Sequence, residues 1–196
     1  MQIKEIENLV TSLRVLPGVG EKTARRYAFD LIESGSDVTN QLVAALSDLD
    51  SLKKCNVCNG YSHQDVCSIC LDEDRNKNHL VVVSKAQEIL KVEDIMPNQY
   101  RFFALGGIID PLNGVSSQDI KLAELKHHVI KNEIKLITLI LPVTNEGEIT
   151  ASFIKRSMSD IDVKFDKIAQ GAPVGSSLEY LDEITLIKSI QSAVEY

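Results

Sequence analysis

The sequence has few aromatic residues, no long hydrophobic run and no excess of positive charge. Aromatic side chains make up 5% of the 196 residues, and tryptophan is absent, so we expect most aromatic rings to belong to a core rather than to a base-stacking surface. No stretch reaches the roughly 18 consecutive apolar residues of a membrane-spanning helix. The first ten residues carry acids where a signal peptide has a basic and then an apolar segment. We therefore expect a cytoplasmic protein that does not span a membrane.

The overall charge is acidic, with a formal net charge of −7. An acidic protein is not an obvious partner of nucleic acids, because phosphate contacts need lysine and arginine. Residues 1–54 contain seven basic and eight acidic side chains, and three of those basic residues lie between Lys22 and Arg26. Any binding to DNA must use such a local basic patch.

The composition and the apolar periodicity indicate a folded α/β protein. Hydrophobic residues make up 44% of the chain and charged residues 25%, which excludes disorder over the whole length. Three- and four-residue spacing predicts helices within 6–16, 23–32 and 36–50. Predicted strands then alternate with predicted helices: strands at 80–84, 101–105, 136–141 and 162–169, and helices at 87–92, 117–131, 148–158 and 183–194. This alternation favours a mostly parallel sheet with helices on its faces.

All four cysteines lie within residues 55–70, as two CxxC pairs separated by eight residues: Cys55, Cys58, Cys67 and Cys70. Two such knuckles place four thiolates at the corners of a tetrahedron, the arrangement that zinc prefers. The alternatives are two disulfides or buried free thiols, and disulfides are disfavoured in a cytoplasmic protein. His63, between the knuckles, is a less favoured substitute ligand. A closed four-ligand site stabilises structure rather than performing chemistry, so the sequence predicts one structural Zn²⁺ ion.

A glycine-containing turn, LPGVGEKT, occupies residues 16–23 between two predicted helices. Gly18 and Gly20 allow a tight turn and close approach of the backbone, and the amides at the start of the next helix suit a phosphate group. Lys22 and Arg26 are four residues apart and share one helix face. This pattern is typical of a helix-hairpin-helix, which binds the DNA backbone without reading its sequence.

Two other interpretations of this turn compete with that one. A phosphate-binding P-loop needs glycine directly before Lys-Ser/Thr, but Glu21 intervenes here and the loop is too short. An ordinary pair of antiparallel helices that binds nothing stays open as an alternative.

Two further groups of polar residues are expected to face solvent. Asp72, Glu73 and Asp74 follow the last cysteine and suit an acidic turn, because nothing nearby is spaced to complete a metal site with them. His127 and His128 lie in a polar predicted helix.

The turn, the cysteine pairs and a C-terminal string occur in a distinctive order. The C-terminal string is IAQGAPVG at 168–175, followed by LEYLD at 178–182 and TL at 185–186. Further matches are LGG at 105–107, DPLNG at 110–114 and EGEITA at 146–151. With these motifs the chain closely resembles the bacterial RecR recombination mediators over essentially its whole length.

The resemblance implies a multi-module α/β fold. Its expected modules are a helix-hairpin-helix region at 1–54, a four-cysteine zinc finger at 55–70, a Toprim domain with a mostly parallel sheet at 78–170, and a C-terminal strand and helix segment at 171–196 that helps subunits assemble. It also implies a DNA repair role, in which the protein acts with RecO, and with RecF as a further partner, to promote RecA loading at single-stranded gaps. A homo-oligomer, expected as a ring-like tetramer, would bind single-stranded, duplex or gapped DNA and associate with the nucleoid during repair.

Site residues carried over by position fall into three groups. Lys22 and Arg26 are the expected DNA contacts, with Arg25 as their neighbour and Gly18 and Gly20 in the turn. The four cysteines match the zinc ligands. Glu146 and Glu148 match the Toprim segment that contacts RecO.

Two departures concern catalysis. Toprim enzymes hold magnesium with a glutamate after the first strand and an Asp-x-Asp after a later one. Here the first strand ends at Ser84, where relatives commonly keep glutamate, and the later strand ends at Leu141-Pro142-Val143-Thr144. We therefore expect a protein that is not an enzyme. The alternatives are a magnesium-dependent Toprim nuclease or primase-like enzyme, and a zinc adaptor that binds only proteins.

Overall fold

The computed structural model describes residues 3–168 together with residues 183, 185 and 187. The chain divides into two compact units, with the boundary between Leu52 and Lys53. The expected assembly segment at 171–196 and the predicted helix at 183–194 lie outside the described residues, apart from those three single positions.

The N-terminal unit consists of three helices, as the periodicity predicted. They are α1 (Lys4–Leu13), α2 (Glu21–Glu33) and α3 (Gly35–Asp48), followed by a short 3₁₀ turn at Leu49–Ser51. Val10 of α1 is buried against Ala24 and Ala28 of α2. The small alanines let the two helices approach closely, with Ile6, Leu9, Leu13 and Val19 packed around this contact.

The third helix buries none of its side chains. Its periodic leucines stay exposed, Leu42 by 44% and Leu46 by 64%, and Leu49 just beyond it by 56%. The apolar spacing therefore predicted the helix correctly, but this unit provides no core for that face.

The larger unit contains a four-stranded parallel sheet, which confirms the predicted α/β architecture. Its strands are β3 (His79–Val83), β4 (Arg101–Ala104), β5 (Leu136–Ile140) and β6 (Lys164–Lys167), in the order β4-β3-β5-β6. All three pairings are parallel. The connecting helices are α5 (Ala86–Ile95), α6 (Leu122–Lys131) and α7 (Asn145–Ser157).

The central strand β3 is buried on both faces, as its run of β-branched residues predicted. Leu80 and Val82 belong to one core cluster together with Phe103 of β4. Val81 and Val83 belong to a second cluster on the other face. The second cluster also contains Cys55, Cys58 and Cys67.

The cysteine-bearing segment precedes the sheet. It consists of a two-stranded antiparallel ladder, β1 (Lys53–Lys54) with β2 (Tyr61–Ser62), and the single-turn helix α4 (Ser68–Leu71). Because its cysteines enter the second core cluster, this segment covers one face of the parallel sheet.

Two helices begin three or more residues away from their predicted starts. Helix α6 begins at Leu122 rather than at Ser117, because the backbone amide and hydroxyl of Ser116 both donate to Asp119 Oδ2, at 2.8 and 2.6 Å, and hold the preceding residues in a turn. Helix α7 begins at Asn145 rather than at Glu148, because Thr144 caps it by accepting from the Gly147 amide at 3.2 Å.

Within the described residues, no helix is long and apolar enough to cross a membrane.

Candidate metal centre and nucleic-acid interface

The four cysteine sulfurs converge on one point. Each offers its Sγ atom, and these atoms all lie within 4.8 Å of one another. Cys58 Sγ is 3.6 Å from Cys67 Sγ, and Cys55 Sγ is 3.9 Å from Cys70 Sγ. Sulfurs bound to a tetrahedral zinc at about 2.3 Å are about 3.8 Å apart, whereas a disulfide needs about 2 Å. The cysteines are free, and their spacing fits a zinc ion.

Backbone amides donate hydrogen bonds to two of the four sulfurs and so help to orient them. The amides of Val57 and Cys67 donate to Cys55 Sγ at 3.4 and 3.3 Å, and the amide of Gly60 donates to Cys58 Sγ at 3.3 Å. Such donors stabilise thiolates that ligate a metal. His63 does not belong to the converging group.

The thiols influence one another strongly. The hydrogen bond with Cys67 raises the pKa of Cys58, and hydrogen bonds with Cys58 and Cys67 raise the pKa of Cys70. The hydrogen bond with Cys58 lowers the pKa of Cys67. Without a metal, the cluster therefore opposes the ionisation of Cys58 and Cys70. Four thiolates at this distance need a cation between them, and Zn²⁺ supplies it.

The cysteine segment is anchored to strand β4. The Ala104 amide donates to the Cys58 carbonyl at 2.8 Å, and Asn59 Nδ2 donates to the Ala104 carbonyl at 3.3 Å. The metal centre is therefore fixed to the edge of the sheet by backbone hydrogen bonds as well as by packing.

Arg75, which no motif in the sequence singles out, joins this segment to the sheet domain. It is 5% exposed, and its guanidinium donates to both carboxylate oxygens of Glu93 at 2.7 and 2.6 Å. It also donates to Asp72 Oδ2 at 3.0 Å. The expectation of a fully solvated acidic turn is therefore wrong for Asp72, which is one partner of a largely buried arginine. The i,i+3 spacing of Asp72 and Arg75 was the only signal in the sequence.

The hairpin turn has the backbone geometry that its glycines predicted. Gly18 adopts φ +80°, which favours glycine, and a Cβ added at Gly18 or Gly20 would meet nothing within 4 Å. Gly20 occupies the N-cap of α2, where no side chain caps the first-turn amides. The backbone at the start of α2 is therefore open to an approaching phosphate.

The three basic residues of α2 have different environments. Lys22 and Arg26 are exposed, and neither forms an ion pair among the described residues. The Arg26 guanidinium lies over the Tyr27 ring, 5.3 Å from its centroid. Arg25 instead donates to Glu7 of α1 at 2.8 and 3.2 Å. Its role as a DNA contact stays a prediction, and its observed contact is within the hairpin.

Glu146 and Glu148 lie in the first turn of α7 on either side of Gly147. A Cβ on Gly147 would collide with the Pro142 carbonyl, so this motif needs glycine for α7 to reach the end of β5. The Glu148 carboxylate accepts from Lys167 Nζ of β6 at 3.0 Å. Ile149 and Phe153 are exposed beside it, by 47% and 43%.

At the end of β3, Ser84 is buried and its hydroxyl donates to the Glu88 carboxylate at 2.9 Å. The same carboxylate accepts from the Lys85 amide and caps α5. A carboxylate thus reaches this strand end from the helix. In the part of the chain that the structure describes, the cysteines form the one group of three or more metal-binding side chains.

Three segments of the chain match models of known protein families. Residues 6–49 match the RecR helix-hairpin-helix, residues 52–72 the RecR four-cysteine zinc finger domain, and residues 173–192 the RecR C-terminal segment. Proteins named Recombination protein RecR are similar over the whole chain. The one from Parabacteroides distasonis is 38% identical across 97% of this chain and 92% of its own. Those from Psychrobacter sp. (strain PRwf-1) and Streptococcus suis are 36% and 34% identical over 98% and 97% of this chain and 99% and 96% of their own.

The chain belongs to the RecR family.

The RecR finger model covers all four converging cysteines. One structural zinc ion, held by Cys55, Cys58, Cys67 and Cys70, is therefore the cofactor of this chain. The sequence-based prediction of zinc is confirmed, and so is the recognition of the RecR family. The roles of the individual hairpin and α7 residues stay predictions.

Proposed function

We propose that this protein is a non-enzymatic mediator of DNA repair and recombination that binds the DNA backbone through its hairpin and acts with partner proteins. Membership of the RecR family supports this role. The partners are RecO, with RecF as a further one, and the outcome is RecA loading at single-stranded gaps. The observation that carries the proposal is the exposed pair Lys22 and Arg26 on α2, directly after an uncapped helix start.

The acidic composition supports a mechanism that depends on assembly. A single hairpin gives weak, salt-sensitive affinity, because few phosphates are neutralised. Several hairpins in one oligomer multiply this affinity by raising the effective concentration of the others. The exposed leucines of α3, together with Val43 at 59% exposure, supply apolar surface for such self-association. A ring-like tetramer, with the segment at 171–196 contributing to assembly, is part of the proposal.

Glu146 and Glu148 are proposed to contact RecO. They project from one turn that Gly147 fixes against the sheet, next to the exposed apolar side chains of Ile149 and Phe153. An apolar patch bordered by carboxylates suits a protein partner with a basic rim. The module boundaries proposed are 1–54, 55–70, 78–170 and 171–196, with the third corresponding to a Toprim domain.

The absence of catalysis is proposed from the strand ends. Ser84 stands where a Toprim enzyme has its glutamate, and Glu88 is engaged by the Ser84 hydroxyl and the Lys85 amide. Residues 141–144 supply no carboxylate pair. Purified protein is expected to show no magnesium-dependent cleavage or synthesis on gapped DNA.

The test is fluorescence anisotropy of gapped duplex DNA titrated with zinc-loaded protein at several salt concentrations. We compare wild type, Lys22→Ala/Arg26→Ala, and the control Lys4→Ala/Lys91→Ala, which removes the same charge from exposed helix positions outside the hairpin turn. Binding that weakens with salt and falls at least tenfold only in the hairpin variant supports the proposal, because backbone contacts carry the affinity. Equal binding by both variants contradicts the assignment to the hairpin.

Added RecO distinguishes the remaining cases. If wild type binds DNA only with RecO present, and Glu146→Gln weakens that complex, the mediator role stands with RecO delivering the protein. If wild type binds no DNA under either condition, the protein is an adaptor that contacts only proteins, and the proposal fails.

A further inference from the structure

A groove of about 900 Å³ lies between the zinc finger and helix α6, within the larger unit. One wall comes from residues 54–57, Asn59 and Cys70 of the finger, and the other from α6 and the residues that flank it. Phe103 and Arg101 of β4 complete its lining. We call this surface the basic groove, because its charged residues are Lys54, Arg101, Lys121, Lys131 and a single acid, Glu124.

The charge of the basic groove contrasts with that of the whole chain, which carries −7. Its one carboxylate, Glu124, is paired with Lys121 at 2.9 Å. Lys131 is exposed and forms no ion pair in the described part of the chain. Lys54 lies 3.8 Å from the centroid of the Tyr61 ring. Several positive charges therefore face one concave surface without matching acids, which is the footprint of an anion site.

Arg101 has unused hydrogen-bonding capacity. Its Nη2 atom donates to the Asp72 carbonyl at 3.2 Å. Its Nε atom is buried and has no hydrogen-bond partner, and among the described residues it is the one buried side-chain nitrogen or oxygen atom in that condition. Buried donors are normally satisfied, so an orphaned one indicates an acceptor that is missing or a side chain that rearranges when a ligand arrives.

The environment of the His128 side chain is consistent with a positive electrostatic potential in the basic groove. The expectation that His128 is solvated is wrong, because its ring is partly buried, 5.7 Å from the ring of Phe103. Burial, together with the charges of Arg101, Lys131 and His127, lowers its pKa to about 4. The imidazole is thus neutral at pH 7, and the nearby cations Arg101 and Lys131 contribute to keeping it so.

The zinc centre explains part of this charge. A zinc ion with four thiolates carries a formal charge of −2, and Cys55 and Cys70 lie in the lining. The four cationic side chains of the groove exceed the combined charge of this cluster and of Glu124 by about one unit. Lys131 lies at the end of α6, on the wall opposite the zinc cluster, so its charge serves something other than neutralising the thiolates.

We propose that the basic groove binds the phosphate groups of a nucleic-acid backbone, as a second contact surface separate from the hairpin. Exposed lysines at the rim suit a chain of phosphates, because each holds a charge on a flexible stem. The inference rests on the proposed function in one respect, namely that the protein acts on DNA.

The test measures binding of a labelled single-stranded oligonucleotide in the Lys22→Ala/Arg26→Ala background, so that hairpin contacts do not mask the groove. Lys54→Ala/Lys131→Ala is added and compared with Lys91→Ala/Lys155→Ala, an exposed pair outside the groove. We expect the slope of log affinity against log salt to become shallower by about 1.4 in the groove variant, since each of its two lost single-strand contacts contributes about 0.7. The control pair leaves that slope unchanged.

Three results would overturn the proposal. The first is equal salt dependence in groove and control variants. The second is loss of zinc from the groove variant, measured by atomic absorption, which would assign the lysines to the thiolate cluster. The third is a groove variant that loses binding of ATP or pyrophosphate, measured by calorimetry, but keeps its affinity for the oligonucleotide, which would make a free nucleotide the ligand. The groove can also be tested apart from the proposed function. If wild type binds no DNA at all, pyrophosphate binding that depends on Lys131 would still show that the groove is a phosphate site.

Discussion

Arg25 of α2 spans the hairpin to Glu7 of α1, with Nη1 to Oε1 at 2.8 Å and Nη2 to Oε2 at 3.2 Å. This bidentate pair fixes α1 to α2 at the polar edge of a small core that contains Val10, Ala24 and Ala28. It gives Arg25 an ion pair within the hairpin that Lys22 and Arg26 lack among the described residues, although the sequence presents all three as one basic cluster.

Replacing Arg25 with alanine is therefore expected to affect the hairpin more than DNA affinity. The ion pair lowers the pKa of Glu7, so its contribution is present at neutral pH and is lost as the pH falls through the acid range. Arg25→Ala should slightly lower the melting temperature of the helical signal in circular dichroism, and Arg26→Ala should not. For DNA affinity we expect the opposite order, with a larger loss in Arg26→Ala than in Arg25→Ala. A larger loss of DNA affinity in Arg25→Ala than in Arg26→Ala would contradict this division.

Removal of zinc should loosen the sheet domain as well as the finger. Three of the cysteines belong to the core cluster that includes Val81 and Phe102, so the finger packs as part of the sheet. Chelation at neutral pH, or Cys58→Ser, should release one zinc per chain and lower the melting temperature. Ser68→Ala, an exposed change in the same segment, serves as the control. Retention of full stability after zinc loss would show that the finger folds independently of the metal.

The Arg75–Glu93 pair is expected to be among the most sensitive polar contacts. The Arg75 side chain is 4% exposed and that of Glu93 19%, so Arg75→Met leaves a mostly buried carboxylate unpaired. The expected loss is about 3 kcal/mol in the free energy of unfolding by urea. The double change Arg75→Met/Glu93→Met should recover part of this loss, because it removes the unpaired charge. A double variant less stable than the single one would argue that packing, not charge, dominates here.

Gly147→Ala is expected to destabilise the sheet domain by roughly 1–3 kcal/mol through overpacking. The added Cβ would collide with the Pro142 carbonyl, which belongs to the backbone and cannot rotate away. Gly107→Ala is the matched control, since its Cβ would lie 3.6 Å from Ile120, an ordinary contact. If both variants unfold at the same urea concentration, the end of β5 is more adaptable than this geometry indicates. The proposed contact with RecO should also weaken in Gly147→Ala as α7 moves.

His128 should make stability depend on pH in the mildly acidic range. Its pKa is about 4 in the folded protein against about 6.5 when unfolded. Above pH 6.5 the His128 ring is neutral in both the folded and the unfolded protein, so it does not lower the stability there. As the pH falls from 6.5 to 4 the unfolded state binds a proton first, so stability declines, by on the order of 2 kcal/mol.

Titration of the His128 ring by NMR measures this directly, and a midpoint near 6.5 in the folded protein would refute the expected decline. His128→Gln should flatten the pH dependence of unfolding, whereas His127→Gln, at an exposed position, should keep it.

The sequence determined the elements that depend on local chemistry. Helical spacing, the β-branched run at 80–83 and the paired CxxC knuckles each carry their signal within a few residues, and all three were predicted correctly. Helix starts were less well predicted. The first residue of a helix is set by single side-chain hydrogen bonds, such as the Thr144 cap and the Ser116–Asp119 turn, and apolar periodicity does not reveal them.

Only the tertiary structure decided which side chains meet across the chain. Arg75 pairs with Glu93, 18 residues away, and Lys167 with Glu148, 19 residues away. The basic groove brings Lys54 together with Lys131 across the sheet domain. A residue pattern along the sequence encodes periodicity and spacing, but the proximity of distant charges is set by strand order and by how the finger packs on β4. For that reason the metal ligands could be predicted from the sequence, whereas the second cationic surface could not.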